Sequence, residues 1–356
     1  MKLQYLGAAL VLSGLSWLGG CAKTETATSS SSGPTSNSTT TSSNSSTSGG
    51  KPSIVYIPKN TGNAYFDPVI EGFKKASEEK GFDFTTVAPA NASASSQIPF
   101  IKEQIQRGVK AIAISPNSPD ALKPVLKDAM SKGVKVVTVD ADLDGNEDAR
   151  DAAVLPIDFS LIGSSQIDLM STLIGGKGDI AILSATTDAP NQNTWIAGMK
   201  ETLKNPKYAG MKLVEVAYGD DEAQKSQRET EALLTKYPNL KGIISPTTVG
   251  VAAAAQALET AQAANRVQLT GLGMPNKMRR FVKNGTVQKF ALWDPANMGY
   301  AAGYLLSGLL DGSIKPTSGD TFKAGNLGTL KFGAKNVVTA GKPLVFDSKN
   351  IEQYKF

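Results

Sequence analysis

Histidine is absent from all 356 residues, and cysteine occurs once, at Cys21. These two absences exclude Ser–His and Cys–His nucleophilic systems, imidazole and multi-thiolate metal sites, and the commonest general base at neutral pH. A lone cysteine forms no intramolecular disulfide, and a chain this long builds a core without one. Charge of one sign is also lacking: 37 Lys and Arg face 32 Asp and Glu, scattered along the chain. A nucleic-acid binder clusters its cations on one element. Here the only adjacent arginines, Arg279-Arg280, read as a solvated helix face. What remains possible is carboxylate or lysine chemistry, or binding without chemistry.

The first 50 residues carry an address. Lys2 is followed by an apolar run from Leu6 to Trp17, too short to cross a bilayer as a permanent helix, so it reads as an export signal. Leu18-Gly19-Gly20-Cys21 resembles the bacterial lipoprotein processing site. Residues 1–20 are then a signal peptide and Cys21 the lipid attachment site. Residues 22–50 are almost entirely Ser, Thr, Gly, Asn and Ala, which cannot bury enough apolar surface to offset ordering. Residues 21–51 therefore read as an acylated, disordered tether holding the folded part roughly 30 Å from the membrane.

From Ser53 onward, short apolar runs alternate with amphipathic segments. Ile54–Ile57, Phe84–Val87, Ala111–Ile114 and Val134–Val139 read as strands, separated by helices over Phe66–Lys80, Gln97–Arg107 and from Ser118 to Gly133. A second series follows. Its strands are Ile180–Leu183, Leu213–Val216, Gly242–Ile244, Gln268–Leu272 and Phe290–Trp293. Its helices are near Ser160–Leu173, Pro190–Leu203, Glu222–Lys236, Val249–Ala263 and Pro295–Leu310. The strands are continuous apolar runs, as in parallel sheets covered on both faces. The expected fold is α/β: two doubly wound parallel-sheet lobes joined by a hinge, with a ligand cleft between them. Such sheets bind ligands beyond the carboxyl ends of their strands.

The strand exits carry Lys59, Asp140, Asn191-Gln192-Asn193, Pro246-Thr247-Thr248, Gly273 and Trp293-Asp294, with Phe66 at the start of the first helix. Charged and amide groups beside aromatic faces suit a neutral polyol: Asp accepts from hydroxyls, Lys and Asn donate, and a ring covers the C–H face. No glycine-rich loop with a following lysine opens a helix, so there is no phosphate cradle. Trp195 reads as a core anchor of its helix.

Together, Tyr56–Lys59, Leu183–Thr187, Asn191–Trp195, Ser245–Gly250, Thr270–Pro275 and Phe290–Pro295 resemble the type I periplasmic sugar-binding proteins of ABC transporters. Within them, the chain is most similar to the rhamnose-binding group and its autoinducer-binding relatives. The resemblance covers residues 53–356. It implies an N-terminal lobe of residues 52–156 plus 291–325 and a C-terminal lobe of 157–290 plus 326–356. It also implies ligand contacts at Lys59, Asp140, Asn191, Gln192, Pro246 and Thr248, to which the strand-exit reading adds the aromatic faces of Phe66 and Trp293. The implied partners are a monosaccharide, an ABC permease and the membrane through the lipid anchor, for a monomer on the outer face of the cell membrane with no cofactor and no nucleic acid. Autoinducer binders carry Asp where this chain has Asn191 and Ala where it has Thr248, which moves the expectation toward a rhamnose-like deoxyhexose. Rhamnose binders in turn carry Trp-Asp-Ser where this chain has Asp140-Ala141-Asp142.

Three other readings meet obstacles. A furanosyl-autoinducer receptor conflicts with Asn191 and Thr248. A glycosidase would need Asp140 and Asp294 as its acid–base pair. A sugar-responsive repressor lacks a helix-turn-helix ahead of Ser53. The run from Asp140 to Asp151 imitates the spacing of a calcium loop, with Gly145 at its sixth place. Without a flanking helix pair or a Glu at the twelfth place, it reads as an acidic turn, and no metal site is assigned.

Overall fold

The computed structural model describes residues 50–356; the expected signal peptide, Cys21 and nearly all of the expected tether lie outside the described residues. The chain first alternates β1 (Ser53–Ile57), α1 (Phe66–Lys80), β2 (Asp83–Thr86), α2 (Ile98–Gln106), β3 (Ala111–Ile114), α3 (Pro119–Ser131), β4 (Lys135–Val139) and β5 (Ala152–Leu155). A second run holds α4 (Ser160–Ile174), β6 (Gly178–Ser184), α5 (Pro190–Thr202), β7 (Met211–Tyr218), α6 (Ala223–Lys236) and β8 (Leu240–Ser245). It continues through α7 (Thr248–Thr260), β9 (Gln268–Gly271), α8 (Pro275–Lys283), β10 (Phe290–Leu292) and α9 (Ala296–Asp311). The tail holds the short strands β11 (Thr321–Lys323), β12 (Thr329–Lys331), β13 (Val337–Thr339) and β14 (Leu344–Phe346).

Two parallel sheets result, as the apolar strand runs require. One has the order β13-β5-β4-β3-β1-β2, the other β7-β6-β8-β9. A bridge between Leu272 and Ala291 sets β10 beside β9, and β14 pairs antiparallel with β10. The strand interiors are fully buried: Ile54–Ile57, Ala111–Ile114 and Ile180–Leu183 expose nothing.

The tail departs from the expected division. Residues 326–356 do not all join the second lobe: β13 pairs parallel with β5 in the first sheet, and the chain returns to the second only at β14. Two further elements were not legible. The strand β5 is four residues, two of them alanine, a weak strand former. Helix α8 buries Met278, Phe281 and Val282 while turning Arg279 toward Glu352 and Arg280 toward Glu259.

The chain thus passes between the sheets three times, over residues 156–159, 293–295 and 340–343. These passages abut. Ala340 donates its amide to the Leu155 carbonyl at 2.9 Å, and a Cβ on Gly341 would lie 3.0 Å from the Pro156 carbonyl oxygen.

Helix α9, following the second passage, returns to the first lobe and packs along α1. Glycine makes this close crossing possible: a Cβ on Gly299 would collide with the Val69 carbonyl, and one on Gly72 with that of Ala296. The obstacle is backbone on both sides, so the helices must separate to admit a methyl. Gly299→Ala is expected to cost about 1–3 kcal/mol, read as a fall of several degrees in the thermal midpoint of the unliganded protein. An unchanged midpoint would show that the crossing is slack.

Candidate functional site

The strands of both sheets end at one pocket of about 360 Å3. Its walls include all eight residues singled out from the sequence: Lys59, Phe66, Asp140, Asn191, Gln192, Pro246, Thr248 and Trp293. Geometry explains the gathering. Lys59 follows β1, Asp140 follows β4 and Trp293 follows β10, while Phe66, Asn191 and Thr248 occupy the first turns of α1, α5 and α7. In parallel α/β units these positions share one edge.

Lys59 is 4 % exposed and donates to Asn191 Oδ1 at 2.8 Å. Its backbone is fixed from beneath. Asn117 Nδ2 donates to the Lys59 carbonyl at 2.9 Å, and Gln97 Nε2 donates to the carbonyls of Pro58 (3.0 Å) and Ser115 (2.8 Å). Asp140, 3 % exposed, takes a left-handed backbone with φ of 71°, a conformation that short polar side chains tolerate better than most. Its Oδ1 accepts from Tyr65 Oη at 2.6 Å and its Oδ2 from Asn191 Nδ2 at 3.4 Å. Trp293 Nε1 donates to the Tyr65 hydroxyl at 2.8 Å, so one phenol joins the aromatic wall to the carboxylate. Gln192 Nε2 donates to the Pro246 carbonyl at 2.6 Å.

Electrostatics set this pocket apart from ordinary surface. Burial pushes the Asp140 carboxyl up, opposed by the nearby Lys59 charge and the Tyr65 hydrogen bond. Burial likewise pulls the Lys59 ammonium down, opposed by the charges of Asp140 and Asp221. Among the described residues Lys59 forms no ion pair with either carboxylate. Each charge is therefore held by neutral hydrogen-bonding groups, leaving capacity directed at the pocket.

Sequence reasoning missed several lining residues: Asn63, Tyr65, Asp221, Leu272 and Leu292. Tyr65 precedes its helix and gave no signal. Asp221 sat in an acidic run that reads as a solvated turn. Trp195 is the core anchor expected, 2 % exposed and edge-on to Phe159 and Trp293, but it also lines the pocket, and its Nε1 has no partner among the described residues.

Other candidates separate from the site. Asp294 accepts from the Ala296 amide at 3.0 Å in the turn that leads into α9 and lines a different pocket, so it makes no acid–base pair with Asp140. The carboxylates of the 140–151 run also diverge. Asp142 pairs with buried Arg150, Asp144 accepts from Thr194, Asp148 meets Lys123 and Lys127, and Asp151 meets Lys135. They do not converge on one point.

Comparisons with known proteins agree with this architecture. Residues 54–314 match the family model for the periplasmic binding protein domain. A sugar ABC transporter structure from Actinomyces odontolyticus is 45 % identical, covering 86 % of this chain and 98 % of that one, with a TM-score of 0.69. An ABC transporter solute-binding protein from Clostridium phytofermentas with bound L-rhamnose is 34 % identical over the same shares, with a TM-score of 0.82. The D-ribose/D-allose-binding protein of Pseudomonas aeruginosa is 25 % identical over 249 residues, 67 % of this chain and 75 % of that protein.

The Tyr65 hydroxyl is the test of the site's internal support. Tyr65→Phe strands the Trp293 N–H and removes one donor from Asp140. The unliganded protein is expected to lose about 1–3 kcal/mol, measured by thermal or urea denaturation. A stability equal to wild type would mean that other groups replace the phenol.

Proposed function

This chain belongs to the periplasmic binding protein family, among the sugar solute-binding proteins of ABC transporters, and we propose that it captures a rhamnose-like deoxyhexose or a related monosaccharide and delivers it to a membrane permease. One observation carries the reading: two carboxylates and one ammonium face the same pocket without pairing, beside the aromatic faces of Phe66 and Trp293. Sugar hydroxyls both donate and accept, so one ring can satisfy Asp140, Lys59 and Asn191 together while its C–H face meets the rings. A fixed anion would meet the carboxylates, and an apolar ligand would leave all three charges unsatisfied. The deoxyhexose assignment draws on the 34 % identical relative with bound L-rhamnose and on the aliphatic walls Leu272 and Leu292, which suit a methyl better than a hydroxymethyl group.

The same reading assigns no turnover: Asp294, the acid–base partner a glycosidase would need beside Asp140, accepts from the Ala296 amide and lines a different pocket. It assigns delivery from outside the cell membrane by a monomer tethered through Cys21.

A thermal-shift screen over deoxyhexoses, hexoses and pentoses tests the ligand. Binding at about 100 times the dissociation constant adds roughly 2.7 kcal/mol. Asp140→Ala removes a charged acceptor whose hydrogen bonds are each worth on the order of 1.5–3 kcal/mol. It should weaken sugar binding by tens of fold with the fold intact, as calorimetry will show; unaltered affinity would refute the site. Cys21→Ser should release the protein from membranes or block its maturation while sugar binding persists. Retention of the correctly cleaved variant in the membrane fraction would refute the anchor.

A further inference from the structure

A carboxylate outside the residues expected from the sequence faces the same pocket. Asp221 lies in the turn between β7 and α6, where Asp220 and Asp221 both adopt left-handed backbone, with φ of 55° and 56°. Two consecutive non-glycine residues in that region carry local strain, which persists where surrounding structure holds it. The turn is held: the amides of Gly219 and Asp220 donate to the carbonyls of Ser184 (2.9 Å) and Ala185 (3.2 Å), at the end of β6. Asp220 is turned away to pair with Lys225. Asp221 is turned inward, where its Oδ1 accepts from the Thr247 hydroxyl. Its Oδ2 has no protein partner among the described residues.

We propose that Asp221 is a second ligand-holding carboxylate, presented by the second lobe opposite Asp140 of the first, and that the pair selects neutral polyhydroxylated ligands over their acid forms. The inference rests on the sugar-binding reading above and deepens it. Both acceptors stand at strand exits on left-handed backbone, one per lobe, with the Lys59 charge felt by both and Asn191 joining Lys59 to Asp140. A ligand with hydroxyls on two opposite edges satisfies both carboxylates at once and thereby spans the cleft. A uronic, aldonic or phosphorylated sugar brings a third negative charge into a pocket holding a single ammonium.

Although part of Asp221 stays open, the loss of bulk water in the cleft pushes its carboxyl up, opposed by the Thr247 hydrogen bond and Lys59 and reinforced by Asp220. A raised acid is a cost to the folded chain, present above its folded value and gone below its unfolded one. Structural and ligand-holding roles therefore predict opposite signs for its removal.

The experiment compares Asp221→Asn, which retains an acceptor for Thr247, with Asp220→Asn on the same turn. Calorimetry uses the neutral sugar that shifts wild type most, together with the corresponding uronic acid. The expected result is a loss of tenfold or more in neutral-sugar affinity for Asp221→Asn, a change within twofold for Asp220→Asn, and a narrowed preference over the uronic acid. Affinity within twofold of wild type for Asp221→Asn would overturn the proposal. Unliganded denaturation gives a second readout that needs no sugar. Asp221→Asn should be at least as stable as wild type at neutral pH, with any difference shrinking on acidification; a variant less stable at neutral pH would make Asp221 structural and overturn the proposal. If no sugar shifts wild type, the sugar-binding reading fails, and this second readout still decides Asp221.

Discussion

Charge taken out of water without a salt-bridge partner is the constraint around which the cleft is organised. Lys59 and Asp140 are almost wholly buried, yet they do not neutralise each other directly. Desolvating such groups is expensive, and the expense is tolerable only where hydrogen bonds replace the lost water. The structure answers with neutral donors and acceptors: Asn191 for Lys59, Tyr65 and Asn191 for Asp140, Thr247 for Asp221. A direct ion pair would have closed the pocket on itself. Amides and hydroxyls hold each charge by one side and leave the other side for a ligand.

The supporting layer follows from the same constraint. The carbonyl of Lys59 is gripped by Asn117, which is set in turn by Gln97, and both side chains are almost fully buried. Behind Asp140, the carboxylate of Asp142 accepts from Arg150, Thr138 and the Leu143 amide, fixing the loop that turns Asp140 inward. Arg150 also donates to the Lys335 carbonyl at 2.9 Å, tying that loop to the tail. None of these polar groups lines the pocket. They make the direction of the Lys59 and Asp140 charges a property of the fold.

Much of this was legible from the chain. Strand periodicity located the exits, and α/β geometry says that exits share an edge, so Lys59, Asp140 and Trp293 could be assigned to one place before any coordinates. Helix α1 even begins and ends at the residues expected, because Gly81 closes it in a left-handed cap. What escaped depends on backbone direction or on very short elements. Asp221 differs from its neighbour Asp220 only in which way the turn aims it. The strands β5 and β13, with four and three residues, are fixed by pairing, β5 with β4 and β13 with β5, and not by any local pattern. Tyr65 acts through a hydroxyl whose two partners lie 75 and 228 residues away.

The placement of β13 governs when the molecule can be completed. The first sheet is built from residues near the start of the folded chain, yet its outer strand comes from residues 337–339. During synthesis β5 therefore presents an unpaired edge until almost the whole protein has emerged, and an open parallel edge is a site for mispairing. Neither lobe is a contiguous stretch of sequence, and each is completed only by residues of the tail. The last twenty residues act as a clasp: only when they have paired with β5 and crossed once to β10 are both edges occupied and the third passage in place.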